Sequence, residues 1–113
     1  MWFDAIDKAG KEHFSSWITK GGKVLAQSCA DHSITVRPWG KNSQYPPAPG
    51  IARPSGFKIC YEMGNGKAFI ANFTNEAVQL NTPNYKRFTG PIVGGIEGKE
   101  QYKGMALCEQ FQF

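Results

Sequence analysis

GFKICYEMGNGKAFIANF, residues 56–73, decides what kind of chain this is. Phe57, Ile59, Tyr61 and Met63 alternate with Lys58, Cys60 and Glu62, the period of two expected of a strand with one buried face. Gly64-Asn65-Gly66-Lys67 accepts positive φ and turns the chain back. Phe69, Ala71 and Phe73 then share one side of a return strand, with Ala68, Ile70 and Asn72 on the other. The segment predicts an antiparallel hairpin that needs a sheet around it.

Outward from the hairpin, strands are expected at about 23–28 (KVLAQS), 33–37 (SITVR), 57–63, 68–73, 85–93 and 102–112. Val78 and Leu80 extend the return strand, and Gly90-Pro91 interrupts the strand at 85–93. In the last strand, Met105, Leu107, Phe111 and Phe113 are expected to face the core. Residues 3–19, FDAIDKAGKEHFSSWIT, read as a helix: at 100° per residue Trp2, Phe3, Ile6, Ala9, Gly10, His13, Phe14 and Trp17 form one stripe. Gly21-Gly22 would stop it. The expected fold is α+β, one domain over 1–113, with an N-terminal amphipathic helix on a mainly antiparallel sheet of five to six strands, open or curled into a small barrel.

The 113 residues are 41% hydrophobic and 19% charged, a globular composition. No run reaches the ~18 apolar residues of a membrane helix, and Asp4, Asp7 and Glu12 break up any signal-peptide core. Cys29, Cys60 and Cys108 read as reduced thiols, which points to the cytoplasm. The net charge of +4 arises entirely after residue 33, a modest basic surface suited to acidic partners.

Sites for chemistry are sparse. Cys29 and His32 form C-x-x-H, too little for zinc, and no cofactor or metal is expected. A thiolate site from Cys29 or Cys60 with His32 and Asp31 lacks a local signature. Glu109 shares parity with Leu107 and Phe111; buried, it would be a raised-pKa proton carrier. GGIEGKEQYKGMALCEQF resembles a local pattern in dirigent-like and allene-oxide-cyclase-like barrels, through Gly94, Gly95, Gly98, Tyr102 and Gly104. The match covers about 20 residues, and Glu100-Gln101 departs from it. It implies a small barrel and carries no activity.

Residues 40–56 form a long loop with four prolines, and long ordered loops tend to be functional. Tyr45, Ile51 and Arg53, with Trp39 beside them, are the expected partner-binding residues. This favours a small non-enzymatic binding or inhibitor-type protein, of immunity or accessory type, engaging a protein partner. One alternative is single-stranded nucleic-acid binding through Arg37, Lys41, Tyr85, Lys86, Arg87, Tyr102 and Lys103, where aromatic and basic residues interleave. Another is a small-molecule-binding barrel enzyme using Glu109 or Cys60.

Overall fold

Residues 1–28, 34–48, 50, 52–64 and 66–111 are described by the computed structural model. Nine strands follow one another: β1 (Trp2–Ile6), β2 (Glu12–Lys20), β3 (Lys23–Ser28), β4 (Ile34–Trp39), β5 (Gly56–Gly64), β6 (Lys67–Thr74), β7 (Ala77–Asn81), β8 (Tyr85–Ile96) and β9 (Tyr102–Phe111). They make two antiparallel sheets. One has the order β1-β2-β3; the other has the order β4-β5-β6-β8-β7, with β9 paired to β8. The sheets do not close on themselves, and β1 and β2 pack against β4. The fold is all-β among the described residues. This corrects both the α+β expectation and the small barrel that the local resemblance implied.

The expected helix over 3–19 is the hairpin β1–β2. Its turn explains why. The Asp7 carboxylate accepts the backbone N–H groups of Ala9 and Lys11, both at 2.9 Å, and Gly10 takes φ +82°. A left-handed residue inside that segment stops helix propagation and reverses the chain. Register then pairs Trp2 with Ser16, Asp4 with Phe14 and Ile6 with Glu12. These six residues share one face, and that face is turned inward. Asp4, Glu12 and Ser16 are polar at inward positions, so the alternation of a strand is masked and a helical stripe fits by default. Gly21-Gly22 is a hairpin turn between β2 and β3, with both φ values positive, and not a helix stop.

Between the sheets lies the core of Phe14, Ile34 and Tyr61, with Trp2, Val36, Met63 and Phe69 packed against it. A second cluster of Phe57, Phe73 and Phe88 has ring centroids 6.1–6.4 Å apart. Burying each such ring stabilises the fold by roughly 1.5–3 kcal/mol. In β5 and β6 the apolar sides are those the alternation predicts, with Tyr61 opposite Phe69 and Ile59 opposite Ala71. β8 runs unbroken through Gly90-Pro91. Pro91, which has no N–H to donate, sits where the neighbouring strand changes from β6 to β7.

β9 is turned the other way from expectation. Ala106 opposes Gly90 and Cys108 opposes Phe88, so the small residues face in. Met105, Leu107 and Phe111 are 71%, 56% and 52% exposed. Ala106 and Cys108 border an open space that Phe57 and Phe73 wall from the other strands.

Candidate functional site

On the inner side of the β1–β2 hairpin, four polar side chains meet at the edge of the core. Arg37, from β4, donates to both oxygens of Glu12, at 2.9 Å to Oε2, and to Asp4 Oδ2 at 3.2 Å. The Tyr45 hydroxyl donates to Glu12 Oε1 at 2.6 Å and reaches Asp4 Oδ2 at 3.3 Å. The Arg37 guanidinium lies over the Tyr45 ring, 3.9 Å from its centroid. Strands fix Asp4, Glu12 and Arg37, and the proline-rich loop brings Tyr45 down onto them.

This packing separates the two carboxyls chemically. Burial raises Asp4 first, then its hydrogen bond to Glu12 and the Glu12 charge; Arg37 and Tyr45 oppose these, and Asp4 is left at about 6. Burial also pushes Glu12 up, but hydrogen bonds from Arg37, Tyr45 and Asp4 outweigh it and hold Glu12 below the usual range. Burial and the bond to Glu12 push Tyr45 up, so its hydroxyl stays protonated. The pair therefore titrates as one proton on Asp4 beside an ionised Glu12, the arrangement of a carboxylic acid poised to donate near neutral pH. Asp4 Oδ1 is closed off from solvent and has no hydrogen-bond partner among the described residues. The Asp4 side chain keeps only 10% of its exposure.

A cleft of about 190 Å³ lies further along the same inner side; Trp2 and Val36 line it, and Asp4, Glu12, Arg37 and Tyr45 do not. Trp2, Val36, Phe57, Ile59 and Phe73 wall it, and Ile92, Ala106 and Cys108 lie along its far side. Trp2 is two residues from Asp4 on the same face of β1, about 7 Å along the strand. Val36 is next to Arg37. The Trp2 ring stacks on Phe69 at 5.6 Å. The lining is mainly apolar and aromatic, and its one carboxylate is Glu109.

The residues singled out from the sequence go to different places. Tyr45 and Arg37 are brought together, but around Asp4 and Glu12 and not on an outer surface. Arg53 and Trp39 remain exposed at the loop base, where Arg53 Nη1 donates to Asn75 Oδ1 at 3.4 Å. Ile51, Cys29 and His32 lie outside the described residues. Lys86 is buried on the inner side of β8 and Tyr102 shares the inner side of β9, whereas Arg87, Tyr85 and Lys103 belong to the outer side and Lys41 to the exposed loop, so these residues do not form one basic face. Tyr102 accepts from Lys20 Nζ at 2.6 Å.

Glu109 is not a buried proton carrier. It sits on the outer side of β9, where its Oε1 accepts from Tyr85 at 2.5 Å and from Arg87 at 2.6 and 2.9 Å; these bonds hold its pKa down. Cys60 is half-buried, and burial raises its thiol. Cys108 is pushed up to about 12 by burial. Neither is a poised nucleophile. Asp4 and Glu12 escaped the sequence reading because a helix would have put both in solvent; read as strands, they are two acids at inward positions.

The arrangement is an acid pair held by Arg37 and Tyr45, with an apolar cleft further along the same side, set in open antiparallel sheets. No family model matches the chain, and no solved structure does. Among curated proteins, it is 51% identical over all 113 residues to the quinolone epoxide rearrangement protein penF of Penicillium thymicola. It is 46% identical, again over all 113 residues, to the quinolone epoxide rearrangement protein asqO of Emericella nidulans. The chain spans about a third of the length of these relatives (31% of each). Their names describe a reaction on a small molecule, which overturns the expectation of a non-enzymatic binding or inhibitor-type protein. The small-molecule enzyme alternative stands nearer, without its closed barrel and without Glu109.

Proposed function

We propose that this chain carries the acid centre and aromatic cleft of an enzyme that rearranges a small heteroaromatic epoxide, of the quinolone type named for its relatives. The observation that carries the reading is Asp4: an inward carboxyl raised to about 6, beside an ionised Glu12 and two residues along β1 from Trp2, which walls an apolar cleft. In this reaction the Asp4 proton passes to the epoxide oxygen as one C–O bond breaks and its electron pair goes to oxygen. The carbon left electron-deficient is flanked by aromatic faces, which favour a nearby cation and keep out water that would trap it. A neighbouring group shifts with its bonding pair, and the new hydroxyl returns its proton to Asp4 as a carbonyl forms. The product is an isomer of the substrate. The sequence is redox-neutral and returns the carboxyl to its starting state.

Glu12, Arg37 and Tyr45 are positioning residues. Glu12 keeps the proton on Asp4, Arg37 holds Glu12 ionised, and Tyr45 fixes the Glu12 carboxylate from the loop side. The test is incubation of the chain with a quinolone epoxide, following isomer formation at unchanged mass by chromatography. Wild type should exceed the uncatalysed background, with kcat/KM falling as pH rises through about 6. Asp4→Asn should lose about 10²–10⁴-fold. No isomer above background, or an Asp4→Asn chain as active as wild type, refutes the assignment.

A further inference from the structure

Three buried polar atoms lack any hydrogen-bond partner among the described residues: Trp2 Nε1, Asp4 Oδ1 and Ser16 Oγ. They are neighbours. Ser16 is directly opposite Trp2 in the β1–β2 register, and Asp4 is the next inward residue on β1. Opposed residues in antiparallel strands have Cβ atoms about 4.5–5.5 Å apart. Each unsatisfied buried group costs roughly 1–3 kcal/mol. Three such atoms on one small patch, beside a cleft, mark a place where a ligand can supply the missing partners.

Their chemistry is complementary to a specific group. Trp2 Nε1 only donates, and Ser16 Oγ can accept. Asp4 Oδ2 is already engaged by Arg37 and Tyr45, so Oδ1 is the oxygen left for the reacting atom. We infer that Trp2 and Ser16 form a recognition site for a secondary lactam, with Trp2 Nε1–H donating to the lactam carbonyl and Ser16 Oγ accepting the lactam N–H. This rests on the reaction proposed above and names the part of the substrate that is held while Asp4 acts. All three atoms are closed off from solvent, so a ligand reaches them only when the Trp2 ring, a wall of the cleft, swings off Phe69. Trp2 is then both recognition group and lid, and an occupied site shields the proton transfer from water.

The probes are 2-quinolone, which has the lactam N–H, and N-methyl-2-quinolone, which does not. In a Trp17→Phe/Trp39→Phe background Trp2 is the sole tryptophan, and its emission should change as 2-quinolone binds. By titration calorimetry on the full chain, N-methylation of the probe should weaken binding about tenfold or more, the loss of one hydrogen bond at a buried site. Ser16→Ala should weaken 2-quinolone binding by a similar factor and leave N-methyl-2-quinolone unaffected, because both changes remove the same bond. Trp2→Phe, which keeps an aromatic ring, though a smaller one, and deletes the indole N–H, should weaken both probes.

Equal affinity for the two probes, or losses from Ser16→Ala and N-methylation that simply add, overturns the lactam site. If both probes bind equally and Ala106→Phe, which fills the cleft, abolishes both, the cleft reading survives the loss of the lactam site. Binding of neither probe removes both.

Discussion

Replacing Asp4 by Asn should make the protein more stable at neutral pH while disabling it. In the folded chain Asp4 titrates at about 6, against 3.8 for an unperturbed side chain. Between these values the folded state holds a proton that the unfolded state has released, so stability falls as pH rises through this window. The effect is absent below about pH 4 and complete above about pH 6 to 7. At about 1.4 kcal/mol per pH unit the ceiling is about 3 kcal/mol, and solvent screening at the edge of the core lowers it. Asn keeps an acceptor toward Arg37 and Tyr45, whose contacts to Asp4 are long, at 3.2 and 3.3 Å, so little is lost on that side. A net gain of about 1–2 kcal/mol is expected at pH 7.5. Asp7 and Glu109, whose pKa values are lowered, act in the opposite sense but only below the ordinary carboxylate range, and they cancel in the difference between the two chains; Glu12, coupled to Asp4, changes only in that same low range. Urea unfolding followed by circular dichroism at pH 4, 5, 6 and 7.5 measures the difference directly. A difference that stays flat with pH, or an Asp4→Asn chain weaker than wild type at pH 7.5, would refute the account of a carboxyl held protonated against its own tendency to ionise. A gain in stability with a loss of turnover is the signature of a group kept for chemistry.

The two buried or half-buried thiols should differ in reactivity. Cys108, with its thiol pushed up to about 12 by burial, should react with a disulfide reagent well behind Cys60; equal rates would mean that burial does not hold back its ionisation. β9 presents Met105, Leu107 and Phe111 in a row on a strand with no described neighbour on its outer edge, a pattern that promotes strand-to-strand association. Leu107→Lys should lower light scattering at high concentration with little change in unfolding midpoint, and undiminished scattering would show that this strand is not responsible.

What the sequence made readable depended on whether inward positions were apolar. The hairpin of β5 and β6 was legible because Phe57, Ile59, Tyr61, Phe69, Ala71 and Phe73 leave no polar residue on the buried side. The hairpin of β1 and β2 was not, because Asp4, Glu12 and Ser16 occupy buried positions for reasons unrelated to packing. Polar residues at inward positions thus hid the strands that carry them. β9 was misjudged for another reason. Its larger side chains lie outside and its smaller ones inside, an inversion that parity alone cannot reveal. Tyr45 and Arg37, expected on an outer surface, meet instead around Glu12, since nothing local tells a loop tyrosine whether its hydroxyl will find solvent or a carboxylate.

The inward side of β9 has a consequence for which guests the molecule can host. A side chain grown from Gly104 would meet only Ile92, at 3.9 Å, and Ala106 borders the cleft itself. Substitutions at these two positions can trim or reshape the guest without straining the host, so a change of one residue could redirect the scaffold to a bulkier or slimmer molecule while the acid centre on the opposite sheet stays untouched.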